Sequence, residues 1–294
     1  MEVGRLKFDF IEAAAVLLKP DSTRLICVHC SRCWSRKRDR PAEFAHVGRR
    51  ACIPDLACRL SKFLLRQGQR PLAGMRAWTI AYMTWVRQLR FTEPAQDAAR
   101  LDYLHEVEQL SARITRLEES LREAVQQAPP QLQAVIQGLQ AMRGIALISA
   151  VTMASEIGAV SRFQNARQLM SYSGTVPSEN SSGKRTQRGG ITKSGNAHLR
   201  RILGEAAWSY RRKPAIGPAL RKRQDGVPEE IRQIAWKAQV RLSKRYARLQ
   251  AANKDPGKIV TAVSREMLGF IWAIGLWAES SNSQASARPK HQPD

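Results

Sequence analysis

The sequence predicts a mainly α protein, in which a long coiled-coil helix precedes a helical domain containing a helix-hairpin-helix, and the first 60 residues are irregular. Three observations predict it. Tyr103, Val107, Leu110, Ile114, Leu117, Leu121 and Ala124 step by four and three residues through three heptads. Leu199, Ile202, Leu203, Ala206 and Tyr210 repeat helical spacing in the second half of the chain. Prolines stand where helices must stop or start, at Pro129-Pro130, Pro228 and Pro256.

Residues 1–60 form a Cys- and Arg-rich segment with no sustained period of two or 3.6, apart from a short apolar patch at Ile11 to Leu18. All five cysteines lie in it, and Cys27 and Cys30 have the bite of a zinc-binding CxxC pair. Five residues separate Cys52 from Cys58, which is poor spacing for the second half of such a site, so free thiols in a reducing compartment are the preferred reading over zinc. Residues 61–128 read as a helical linker and coiled coil. Trp78, Tyr82, Trp85 and Leu89 fall on one helical face and are expected to be core. Acids and arginines fill the outward positions of the heptads, so the seam at 103–124 needs cover. Self-association into a homo-oligomer supplies it, as would an antiparallel helix of the same chain.

Residues 131–278 read as the second domain. A helix through Leu132, Val135, Ile136 and Leu139 turns at Arg143-Gly144-Ile145-Ala146 and resumes as Leu147 to Ile157. Such a hairpin can aim backbone N–H groups at a phosphate, which makes Gly144 a candidate contact; plain helix packing without a ligand is the alternative. A serine loop follows, Glu179-Asn180-Ser181-Ser182-Gly183-Lys184-Arg185, then a helix from Asn196 to about Arg212. Glu229 and Glu230 after Pro228 open another helix to about Leu249, and a last one follows Pro256-Gly257. The stretch 279–294, rich in Ser, Gln and Pro, is expected to be disordered.

Charge narrows the partner. The chain of 294 residues carries a formal +23, and between Lys184 and Arg223 twelve lysines and arginines face one acid, Glu205. Local pairing cannot neutralise such a run, so a nucleic acid is the expected partner, with a merely solvated surface as the bland alternative. The longest apolar stretch, Met267 to Ala278, is short for a bilayer span and the N-terminus lacks a signal-peptide pattern, which points to the cytoplasm and away from membranes. Arg200, Arg201, Arg211 and Arg212 lie off the apolar set of their helix, on a side that can meet phosphates. Without other information, a loop serine before glycine is a turn residue.

From Met142 to Ala207 the residues Gly144-Ile145, Glu156-Ile157-Gly158, Arg162-Phe163, Ala166-Arg167-Gln168-Leu169, Tyr172-Ser173-Gly174, Pro177, Ser181-Ser182-Gly183, Arg188, Ile191-Thr192-Lys193-Ser194-Gly195-Asn196 and Leu199-Arg200-Arg201 occur in an order that closely resembles the C-terminal domain of the DEDD transposases of bacterial insertion sequences, insertion-sequence family one hundred and ten. A weaker likeness extends from about Leu60 to Trp277. The resemblance implies a bacterial, nucleoid-associated recombinase that works with a structured guide RNA, exchanges DNA strands through a serine and oligomerises through its coiled coil. Ser182 matches the nucleophile; Gly183 would let the backbone approach DNA; Lys184, Arg185, Arg188 and Lys193 are candidate phosphate clamps.

The family's N-terminal half resembles a RuvC-type nuclease whose four acids bind a divalent metal, Mg²⁺ being expected. Asp9, Asp21, Asp39 and Asp55 are scattered and make no such pattern. The opening is therefore read as truncated, or as a second reading frame joined near Leu60, which translation of the upstream DNA in all frames would test. Two functions stay open: a transposase acting through its serine, and a catalytically inactive remnant that only binds nucleic acid.

Overall fold

The computed structural model describes residues 52–179, 181–182 and 188–287. These residues are mainly α-helical, with one two-stranded antiparallel sheet. The helices are α1 (Cys52–Arg66), α2 (Ile80–Gln88), α3 (Pro94–Gln126), α4 (Pro130–Gln140), α5 (Leu147–Ile157), α6 (Ala166–Tyr172), α7 (Ala197–Ala207), α8 (Pro218–Gln224), α9 (Glu229–Ala251) and α10 (Pro256–Ala287); the strands are β1 (Pro177–Glu179) and β2 (Arg188–Ile191). The described residues divide into two compact units, 52–120 and 121–287.

The smaller unit has a core of Leu60, Leu64, Tyr82, Val86 and Leu104, with Phe63 set edge-on to Phe91 and close to Tyr103. Thr79 caps α2 by accepting from the Tyr82 amide, and this fixes where the predicted aromatic face begins. Tyr82 is buried as expected, but Trp78 precedes the cap with φ 67° and is 38% exposed. The helical period that placed Trp78 in the core does not reach it. Arg100 is fully buried, its Nε donating to Asp97 and one terminal amine to the Val86 carbonyl. The hydrogen bond from Arg100 holds the Asp97 carboxyl below the usual carboxylate range. In the coiled-coil seam Val107 and Leu121 are buried, while Leu110, Ile114 and Leu117 are half-buried.

In the larger unit α10 is the central element, packing on α4, α6, α7 and α9, while α4 packs on α5 and α5 on α7. Ile259, Val263, Met267, Leu268, Ile271 and Ile274 face this interior. Pro256–Ser281 is long and apolar enough to cross a bilayer by length and composition, yet half of that window is buried inside the fold, as in the core helix of a globular domain. Helix starts follow the sequence signals. Asn165 and Asn196 cap α6 and α7 through the amides of Gln168 and Leu199, and Pro130 and Pro218 occupy first-turn positions.

Two helices extend beyond the bounds expected from sequence. α1 begins at Cys52, inside the stretch read as irregular, and Cys58 on it is a free, half-buried thiol. α10 continues to Ala287, through the first part of the segment expected to be disordered at 279–294. The Glu279 carboxylate accepts from the Val160 and Ser161 amides at 2.7 and 2.9 Å, which ties the helix to the start of the 3₁₀ turn at Val160–Arg162. Composition alone does not reveal such a long-range cap.

Candidate functional site

An antiparallel strand pair flanks the serine segment. β1 pairs with β2 in the register Pro177 to Ile191 and Glu179 to Arg188, with an irregularity between Pro177 and Glu179. Ser178 donates from its hydroxyl to the Gly190 carbonyl at 3.1 Å, and Ser181 to a Glu179 carboxylate oxygen at 2.9 Å. Ser182 is exposed and lies three residues beyond the end of β1. Gly183, Lys184 and Arg185 lie outside the described residues, as do Cys27 and Cys30. Arg188 begins β2, and Lys193 follows that strand with its side chain in solvent.

Beneath the hairpin two loops interlock. The turn Tyr172-Ser173-Gly174 meets the loop Thr192 to Asn196 through backbone bonds: Thr192 N–H to the Val176 carbonyl at 2.9 Å, Lys193 N–H to Gly174 at 3.1 Å and Asn196 N–H to Tyr172 at 2.9 Å. A Cβ on Gly174 would stand 1.9 Å from the Ser194 carbonyl oxygen, and one on Gly195 2.3 Å from that of Tyr172. Both glycines also have positive φ, 66° and 98°, so side chains are refused twice over. Lys193 itself adopts φ 56°, an uncommon left-handed conformation for a residue with a Cβ.

A polar knot ties this platform to α5. The Asn196 amide donates to a Glu156 carboxylate oxygen at 2.5 Å while its own oxygen caps α7 at 2.8 Å. Tyr172 donates its hydroxyl to the Glu156 carbonyl at 2.9 Å, and His198 Nδ1 stands 3.6 Å from the same carboxylate. Arg162 stacks over the rings of Phe163 and Tyr172 at 4.5 and 4.7 Å, and Trp272 of α10 donates to the Phe163 carbonyl. Ser173 and Thr175 are buried and share a hydroxyl contact of 2.9 Å.

The predicted phosphate contacts separate into different settings. Arg201 is exposed, whereas Arg200 is half-buried and donates to the Ser173 carbonyl at 2.9 Å, so it braces the platform. Gly144 does lie in the hairpin between α4 and α5, with φ 85°. A Cβ there would meet the Ala206 carbonyl and the Ser209 hydroxyl, both at 2.6 Å, so that side of the turn is packed against the end of α7. Around the same turn Arg143 donates to the Lys213 carbonyl at 2.8 Å and Arg223 to the Ile145 carbonyl. Burial lowers the pKa of both arginines, which stay cationic. Glu205 carries a raised carboxyl pKa because burial disfavours its charge, with Arg201 acting in the opposite direction.

Sequence reasoning missed Glu156 and Asn196 as a pair, since nothing in their spacing of forty residues announces contact. Among the described residues no three His, Cys, Asp or Glu side chains gather as metal ligands would, so the Mg²⁺ implied by the resemblance finds no fitting donor set there and no chemical step is assigned to it.

Comparison with known proteins covers the same ground. A protein of Sinorhizobium fredii named "Putative transposase y4qE" is 40% identical over 226 residues, 76% of this chain and 53% of that protein. The "Transposase for insertion sequence element IS1533" of Leptospira borgpetersenii is 28% identical over 198 residues, 67% of this chain and 56% of its own length. The chain thus spans about half the length of these curated relatives. The family model described as Transposase IS116/IS110/IS902 family matches residues 136–222, a segment that runs from α4 through the knot and the hairpin to α8. Over residues 136–222 this chain is therefore similar to the transposase domain that this family model describes.

Proposed function

We propose that the chain is an insertion-sequence transposase that binds DNA and exchanges strands through Ser182. The observation that carries this reading is an exposed serine hydroxyl on a hairpin whose two ends are locked by interpenetrating glycine loops. Sites of covalent chemistry need this combination of a reachable nucleophile and a rigid seat. In the proposed step the Ser182 oxygen bonds to a backbone phosphorus as the bond from phosphorus to the sugar oxygen breaks. The serine hydroxyl loses its proton, the departing sugar oxygen gains one to become a hydroxyl, and a second strand's hydroxyl later reverses the attack. Phosphodiester energy is thus kept in a phosphoserine link rather than lost to water.

Arg188, Lys193 and Arg201 are the proposed phosphate clamps among the described residues, with Lys184 and Arg185 completing the set. The left-handed Lys193 supports its part in this, because a conformation that costs about 1–3 kcal/mol for such a residue is kept where the surroundings impose it. Guidance by a structured RNA and self-association through the seam at 103–124 belong to the same proposal; the half-buried Leu110, Ile114 and Leu117 supply the apolar surface that self-association would cover. Ser182→Ala is expected to abolish a covalent protein–DNA adduct while DNA affinity stays within about twofold. An adduct that survives the change would refute the assignment, and the chain would then stand as a nucleic-acid binder without strand joining.

A further inference from the structure

Away from the hairpin, α9 and α10 form an open groove lined by Trp236, Lys237, Val240, Arg241, Lys244 and Phe270. Its composition is unusual for a surface. Trp236 is 42% exposed and Val240 41%, one helical turn apart on α9, and Phe270 supplies the facing wall from α10. α9 carries Arg232, Lys237, Arg241, Lys244, Arg245 and Arg248 against two acids, Glu229 and Glu230, both in its first turn. Beside the groove Glu266 pairs with Arg241 and Arg245, each at 3.2 Å, so the exposed Arg241 already meets a carboxylate, while Lys237 and Lys244 stand exposed along the groove.

We propose that this groove is a second nucleic-acid site, which takes an unpaired stretch of single-stranded DNA with a base stacked on Trp236 and the backbone phosphates on Lys237 and Lys244. An aromatic face flanked by cations at helical spacing fits that ligand better than the alternatives. A duplex buries its bases and offers no flat face to the indole, whereas every unpaired base does. A protein helix docking on the apolar strip would have to bring carboxylates to the lysines, which is the charge pattern of a polyanion. The inference rests on the strand-exchange reading, since exchange displaces single strands that need a holder. It does not depend on which residue is the nucleophile.

The test uses the full chain and a labelled oligothymidine of roughly 15 nucleotides, within the usual span of such sites. Trp236→Ala is expected to weaken oligothymidine binding about tenfold, Trp236→Phe to restore most of it, and duplex affinity to stay unchanged. Lys244→Glu, a change at an exposed position, is expected to weaken the same complex and to flatten its salt dependence by about 0.7 log units per contact removed. Unchanged oligothymidine affinity in Trp236→Ala would overturn the proposal. Three other results would do the same: equal losses on duplex and single strand, a loss confined to oligouridine, or a shift in oligomeric state without loss of binding. If Trp236 governs oligothymidine binding but no adduct forms at Ser182, the strand-joining reading fails and the groove stands.

Discussion

Under the hairpin, Gly174 and Gly195 leave no room for a methyl group against neighbouring carbonyls, and Leu199 and Leu203 are shut from solvent. On the hairpin, Gly190 has open space where a side chain would project, and Ser181 and Ser182 face water. The two regions adjoin in sequence and differ in what constrains them. Ser173, Gly174 and Thr175 of the platform are buried, while Ser178, Glu179, Gly189 and Gly190 of the hairpin are exposed. A chemical group placed on the second inherits its position from the first, so damage to the platform should act on chemistry through stability, and damage to the hairpin should act on chemistry alone.

Gly174→Ala should break this contrast most severely. The added carbon collides with the Ser194 carbonyl and the backbone must leave a positive φ, together a loss of about 5 kcal/mol. Urea unfolding would show it as a large drop in midpoint. Gly190→Ala, on the hairpin and in open space, should change the unfolding free energy by less than about 0.5 kcal/mol. Equal sensitivity at the two positions would mean the hairpin is packed after all.

Glu156→Ala sharpens the same comparison at smaller scale. It strips the acceptor from the Asn196 amide and should cost about 1–3 kcal/mol, felt as loosening of the loop that follows β2. Amide exchange at Thr192 and Lys193 should quicken, since those N–H groups bond across the joint, while exchange in α9 should not change.

Glu205 gives the gentlest probe. Its folded pKa lies above the unfolded value, so the folded state holds a proton more readily and stability falls as pH rises from the ordinary carboxylate range through the raised value. Glu205→Gln should remove that fall, matching the parent in acid and exceeding it near neutral pH in a series of thermal melts. A variant less stable than the parent near neutral pH would show that attraction to Arg201 outweighs burial.

Much of this architecture was legible in the chain. The spacing of Leu199, Ile202, Leu203, Ala206 and Tyr210 named a face that is buried throughout, and Gly144 before Leu147 marked the turn between α4 and α5. Those signals are local, carried by periodicity and caps. What stayed hidden is long-range: Glu279 reaching Val160, Glu156 reaching Asn196, and Arg200 turning inward to Ser173. Charge in sequence marks Arg200 and Arg201 alike, but Arg201 is exposed while Arg200 is half-buried and bonded to Ser173. The hairpin escaped notice because its strands are three and four residues long, too short for alternation to register.

A nucleophilic Ser182 would leave its oxygen linked to DNA. Proteolysis of a trapped protein–DNA adduct, followed by mass mapping of the nucleotide-bearing peptide, tests it most directly. Strand exchange through Ser182 places the phosphodiester on that residue; a nucleotide found on Ser181, on Ser178 or on any residue outside the hairpin would overturn the proposed role.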